Sequence, residues 1–192
     1  MPPFTTNRPR VYAGPMTLAR TVALVGMMGS GKTTIGRRLA ARLAVPFRDA
    51  DHEIEAAAGL TVPEIFAKFG EPYFRDGERR VIARLLSETP HVLATGGGAF
   101  MDETTRAAMK GAAVTIWLRV PVGVLASRVR KRGQRPLLKN GDIRETLERL
   151  LAVREPVYAE ADITLDCMDE PHGAAVERII ETLQQRGVAG AA

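Results

Sequence analysis

Lys32 and Thr33 close the stretch Gly-Met-Met-Gly-Ser-Gly-Lys-Thr over 26–33, which fits the phosphate-loop pattern G-x-x-x-x-G-K-[ST] at every position. The chemistry that this pattern serves is the grip on a polyphosphate. Gly26, Gly29 and Gly31 lack the Cβ atoms that would keep successive backbone N–H groups from converging on one anion. A helix beginning near Lys32 adds the positive end of its dipole. Lys32 can then reach the β- and γ-phosphates of a nucleotide, and the Thr33 hydroxyl is placed to ligate Mg2+. The strand expected at 91–95 does not end in an acidic residue but runs into Gly96, Gly97 and Gly98. Asp49 is therefore the available carboxylate for steadying Mg2+ through water, an ion that favours a few carboxylates plus phosphates. The sequence contains no Asn/Thr-Lys-x-Asp guanine-reading segment, which argues against a GTPase.

Alternating strands and helices must position these groups. The apolar run 21–25 suits a buried strand, and 33–43 carries Ile35, Leu39 and Leu43 at helical spacing. A second strand over 45–49 has its carboxyl end at Asp49, and Asp51 can cap a helix that stops at Gly59. Thr61, Pro63 and Glu64 mark a helix start, with an end at Gly70 and a longer helix over 71–88 behind it. Further strands are expected at 91–95, 113–118 and 162–165, with helices at 102–110, 121–130, 142–158 and 173–185. The basic, glycine-containing segment 131–141 reads as a mobile surface loop. Such alternation implies a parallel sheet covered on both faces, with ligands at the carboxyl ends of its strands. The phosphate loop, Asp49 with Asp51, and Gly96 to Gly98 then share one rim.

With 192 residues the chain suffices for one well-buried domain. Hydrophobic residues at 45% and charged residues at 26% are ordinary for a soluble globular protein. No apolar run approaches the roughly 18 residues of a membrane span. Residues 1–16, with four prolines and no apolar signal region, are expected to form a flexible extension, 17–188 the single domain and 189–192 a tail. Cys167 is the only cysteine, which excludes an internal disulfide and points to a reducing cytoplasm. His52, His91 and His172 lack ligand spacing, so zinc is not expected. The net charge of +5 suits nucleic acid or anionic small molecules. No aromatic interleaves the basic run 128–135, which favours the second.

Six motifs in order, the loop at 26–33, Asp49-Ala-Asp51, Phe74-Arg75, Ala-Thr-Gly-Gly-Gly at 94–98, Arg-Pro-Leu-Leu at 135–138 and Arg-Glu-Pro-Val-Tyr at 154–158, resemble those of a shikimate kinase. The resemblance implies a three-layer α/β fold of nucleoside-monophosphate-kinase type with parallel strand order 2-3-1-4-5. It further implies Mg2+-dependent transfer from ATP to the 3-hydroxyl of shikimate; a monomer that needs no nucleic acid or membrane is expected. Carried over residue by residue, ATP would meet Gly29, Ser30, Gly31, Lys32, Thr33 and Thr34, with Arg128 stacking on adenine and Arg135 arriving from a lid at about 129–141. Shikimate would meet Asp51, Arg75, Gly96, Gly97, Gly98 and Arg154 within a binding region that includes about 49–75. Lys32, Asp51 and Arg135 would be catalytic, and Thr33 and Asp49 would hold the metal. Ala50 departs from the Ser or Thr more usual between the two aspartates, and the proline-rich extension lies outside the family pattern.

The substrate's chemistry agrees with these residues. Planar guanidinium groups at Arg75 and Arg154 suit bidentate pairing with a carboxylate. Glycine backbone can approach a ring that side chains would obstruct. Asp51 can accept from ring hydroxyls and orient the attacking oxygen, as a positioner or as a base. Gluconate-like and nucleoside monophosphate kinases share the architecture, and a nucleotide acceptor would require an additional base-reading pocket, for which the sequence offers no support.

Overall fold

The computed structural model describes residues 16–132 and 142–191. After the short β1 (Met16–Leu18), the strand β2 (Thr21–Val25) is buried at all five positions. A strand with no exposed face needs cover on both sides and neighbours on both edges. It pairs in parallel with β4 (Val92–Ala94) and with β5 (Ala113–Arg119). Outside these lie β3 (Phe47–Asp49), paired to β4, and β6 (Ile163–Asp166), paired to β5. The order β3-β4-β2-β5-β6 is that implied by the family resemblance.

Seven helices flank this sheet among the described residues: α1 (Lys32–Leu43), α2 (Ala50–Ala58), α3 (Val62–Leu86), α4 (Glu103–Ala112), α5 (Val122–Arg132), α6 (Ile143–Tyr158) and α7 (His172–Gln185). A 3-10 turn at Ala99–Met101 follows the glycines. The helices pack in pairs, α1 with α7, α3 with α4 and α5 with α6. Between them and the sheet lies the main core, with Leu24, Ile35, Leu39, Leu93, Ile116 and Leu183 all but excluded from solvent.

The helices expected over 61–70 and 71–88 form one run, broken at Gly70, whose φ of 80° and ψ of 174° no residue with a Cβ adopts readily. Thr61 and Glu64 cap its start reciprocally. The Glu64 carboxylate accepts from Thr61 N at 2.7 Å, and the Thr61 hydroxyl accepts from Glu64 N at 3.4 Å. Ile54, Ile65 and Phe74 build a small second core between α2 and α3.

One correction concerns the ends. Ala189–Ala191 forms β7, antiparallel to β1, with Met16 opposite Ala191 and Leu18 opposite Ala189. Residues 189–191 are thus a strand rather than a tail, and Met16 belongs to the fold. Met16, Leu18 and Ala189 are buried in this pairing. An Ala-Gly-Ala segment carries no strand signature of its own, so only its partner reveals it.

Candidate active site

The phosphate loop links β2 to α1, and its backbone conformation follows from its glycines: Gly29 and Gly31 take φ of 81° and 96°. Gly31 is the N-cap of α1, so the unpaired N–H groups of the first helical turn face the loop's hollow. Lys32 lies back over the loop, its Nζ donating to Gly26 O at 2.8 Å and Met27 O at 2.9 Å. The Thr33 hydroxyl donates to Asp49 Oδ2 at 2.8 Å. Ser30 is fully buried, and its Oγ has no hydrogen-bond partner among the described residues. Thr34, Asp51, Thr95 and Gly97 complete the wall of this small hollow, about 40 Å3.

Asp49 caps α2, its Oδ1 accepting from Asp51 N at 3.2 Å. The cap was expected at Asp51, and the shift has a chemical consequence. With Asp49 anchoring the helix, the Asp51 side chain reaches the second, larger cavity of about 250 Å3 as well as the phosphate-loop hollow. Asp51 and Gly97 line both cavities.

The larger cavity brings Asp51, Arg75, Gly96, Gly97, Gly98 and Arg154 together. Its opposite wall is apolar, formed by Val62, Pro63, Phe66 and Phe74 from α3, with Met28 of the phosphate loop. This wall and the carboxylate of Glu55, which also accepts from Val62 N at 2.9 Å, were not read from the sequence. Arg154 Nη1 donates to Gly97 O at 3.3 Å.

Glu78 is the functional candidate that sequence reasoning missed most plainly. Only 2% exposed, it accepts from Arg75 Nη1 at 2.6 Å through Oε2, while Oε1 has no hydrogen-bond partner among the described residues. Glu71 Oε1 accepts from Arg75 Nη2 at 3.0 Å on the outer side. Burial pushes the Glu78 carboxyl above its ordinary range, with Arg75 opposing. Burial works against the Arg75 charge in turn, but the Glu78 and Glu71 carboxylates outweigh it and hold the guanidinium above its usual value. The only signal in the sequence is an Arg-x-x-Glu spacing on one helix face, in a stretch where exposed Arg–acid pairs three or four residues apart are common.

Glycine at 98 is required by a close approach rather than by its backbone angles. A Cβ there would come within 2.6 Å of both Nη1 and Nη2 of Arg75, a side chain pinned by two carboxylates. Gly98→Ala is therefore expected to push Arg75 aside and to raise the KM of whatever acid binds there about tenfold, with the nucleotide KM unchanged. Steady-state kinetics on both substrates check this.

One expected position falls elsewhere and another is not described. Arg128, on α5, lies 3.7 Å from Asp169 Oδ1 and lines neither cavity. Arg135 and most of the expected lid are outside the described residues. Groups of three or more metal-ligating His, Cys, Asp or Glu side chains are absent among the described residues, and no helix there is long and apolar enough to cross a membrane.

A phosphate-loop hollow that shares Asp51 and Gly97 with a cavity carrying two guanidinium groups and hydroxyl-accepting carboxylates can align a polyphosphate with a small acidic acceptor. Comparison with known proteins agrees. The family model described as Shikimate kinase matches residues 28–184. A shikimate kinase of Bradyrhizobium diazoefficiens is 61% identical over 166 residues, which cover 86% of this chain and 80% of the relative. One from Caulobacter vibrioides is 55% identical over 167 residues, covering 87% and 84%. The structure of a shikimate kinase from Acinetobacter baumannii in complex with shikimate superposes with a TM-score of 0.84 at 38% identity, over 87% of this chain and 94% of that one. Matched over most of its length by that family and by these relatives, the chain belongs to the shikimate kinase family.

Proposed function

We propose that this enzyme transfers the γ-phosphoryl group of ATP to the 3-hydroxyl of shikimate, giving shikimate 3-phosphate and ADP on the route to aromatic amino acids. The observation that carries this reading is the sharing of Asp51 and Gly97 by the two cavities, which makes a donor and an acceptor chamber meet at one carboxylate. In this reading Arg75 and Arg154 hold the acceptor's carboxylate, and the Gly96 to Gly98 backbone lies along its ring. Asp51 accepts from the ring hydroxyls and points the attacking oxygen at the phosphorus, and serves as its base where the proton leaves early. Lys32 offsets charge on the β- and γ-phosphates, cradled by the N–H groups of Gly29 to Thr34. Arg128 against the adenine and Arg135 at the transferring group complete the donor side.

The residues beside Lys32 fit a magnesium ion. The Thr33 hydroxyl donates its hydrogen bond to Asp49, which leaves its oxygen lone pairs for a cation, and Asp49 is held by its capping bond. Bound there with the nucleotide, Mg2+ neutralises developing phosphate charge. Asp49→Asn keeps the helix cap but weakens the acceptor of the Thr33 proton, so the Mg2+ needed for half-maximal rate is expected to rise about tenfold or more with shikimate KM unchanged. Rates titrated against Mg2+ check it.

In this reading the enzyme acts as a monomer, and the lone cysteine supports a cytoplasmic location. A coupled assay of ADP release with Mg·ATP and a panel of acceptors tests the whole reading. Turnover with shikimate and little with gluconate or nucleoside monophosphates is expected, and the reverse preference overturns it.

A further inference from the structure

Tyr158, the last residue of α6, is completely buried and stands behind the acceptor cavity rather than in its lining. Its hydroxyl donates to the Gly97 carbonyl at 2.5 Å, the same oxygen that Arg154 Nη1 approaches at 3.3 Å. Its ring stacks on Trp117 of β5, with centroids 5.9 Å apart and planes inclined by 27°. Trp117 presses in turn on the phosphate loop, since a Cβ on Gly26 would stand 3.3 Å from Trp117 Cδ1. Gly97 is equally close to that loop, its own Cβ position lying 3.4 Å from Met28 N. One buried aromatic pair thus packs beside Gly26 of the phosphate loop and bonds to Gly97, which lines both chambers.

Packing alone does not call for the hydroxyl, because a phenylalanine would stack on Trp117 just as well. The hydroxyl is what reaches Gly97 O. Burial pushes its pKa up to about 12, so it remains a neutral donor throughout the working pH range. A carbonyl with two donors divides its attraction between them. Without Tyr158 the oxygen would depend on Arg154, and the guanidinium would be drawn onto the backbone and away from a bound carboxylate.

On the shikimate kinase reading given above, we propose that Tyr158 is a positioning residue: its hydroxyl fixes the Gly97 carbonyl, which sets the glycine turn and leaves Arg154 free to engage the acceptor. The test is Tyr158→Phe, which keeps the ring. Shikimate KM is expected to rise about tenfold, the scale of one hydrogen bond, while ATP KM and thermal midpoint stay close to wild type. In an Arg154→Ala background the same change is expected to add less than about twofold, because the group through which it acts is gone. A wild-type shikimate KM, equal losses toward both substrates, or a full effect in the Arg154→Ala background each overturns the proposal.

A measurement on the unmodified enzyme guards against a variant that fails to fold. Trp117 is the only tryptophan in the chain, so shikimate added without ATP should alter its emission through the Tyr158 stack. A flat titration, with shikimate binding established by calorimetry, overturns the coupling. Should wild type release no ADP with shikimate and bind none, the functional reading itself fails, which is a different result from an active wild type with an indifferent Tyr158→Phe variant.

Discussion

Lys32→Ala is expected to lower kcat by about 10^3-fold, the scale on which one preorganised donor to a transition-state charge is lost, with shikimate KM nearly unchanged. Lys32 is 8% exposed and its ammonium group is held at the loop by two carbonyls, so it stands ready before the nucleotide arrives. A charge already in place needs no reorganisation as the γ-phosphoryl group begins to move. The acceptor cavity does not include Lys32, which is why the two kinetic constants should separate. Steady-state and single-turnover rates on the folded variant check this. A loss smaller than tenfold would transfer the principal electrostatic role to the arginines.

Arg75→Ala is expected to act twice. As a partner of the acceptor's carboxylate, Arg75 should take about 10^2-fold in shikimate KM with it, within the range for a buried charge-assisted contact. The second effect is on stability. Removing Arg75 strands Glu78, a carboxyl almost sealed from water whose other oxygen already lacks a described partner, and breaking a buried pair in this way costs about 3 kcal/mol.

The sign of the pH dependence follows from Glu78. Burial raises its folded-state pKa above the ordinary value of 4.5, so the folded protein holds that proton more tightly than the unfolded chain does. Its contribution to stability is fully present below 4.5 and is lost as pH rises through the raised folded value. Without the opposing charge of Arg75 that value climbs further. The stability deficit of Arg75→Ala against wild type should therefore be smaller near pH 5 than near pH 8. Urea unfolding at the two pH values measures it, and an equal deficit at both would mean that Glu78 does not carry the effect.

The residues explain how much of this was legible beforehand. The three central strands announced themselves because β2, β4 and β5 are buried along nearly their whole length and so read as largely continuous apolar runs. The phosphate loop was legible for a related reason: its geometry depends on glycines whose spacing cannot drift. Asp51, Arg75, Gly96 to Gly98 and Arg154 were named from motifs, and they converge on one cavity although 103 positions separate the first from the last. What stayed hidden was set by tertiary neighbours. Glu78 is spelled like the exposed acids around it, and its burial depends on Gly96, where a Cβ would stand 2.7 Å from its carboxylate. Tyr158 belonged to a recognised motif, but its partner carbonyl lies 61 residues upstream. The exchange of the capping role from Asp51 to Asp49 is a shift of two residues, a margin that helix-end signals do not resolve.

The ribbon that joins β1 and β7 has a mechanical meaning. Its two outer residues, Met16 and Ala191, face each other in register, so a force drawing the two strand ends apart would load the outermost hydrogen bonds first and then the next. Such a ribbon unzips rung by rung instead of resisting in shear. Under tension or in an unfoldase the strands would part at low force, before the parallel sheet that carries the phosphate loop bears any load.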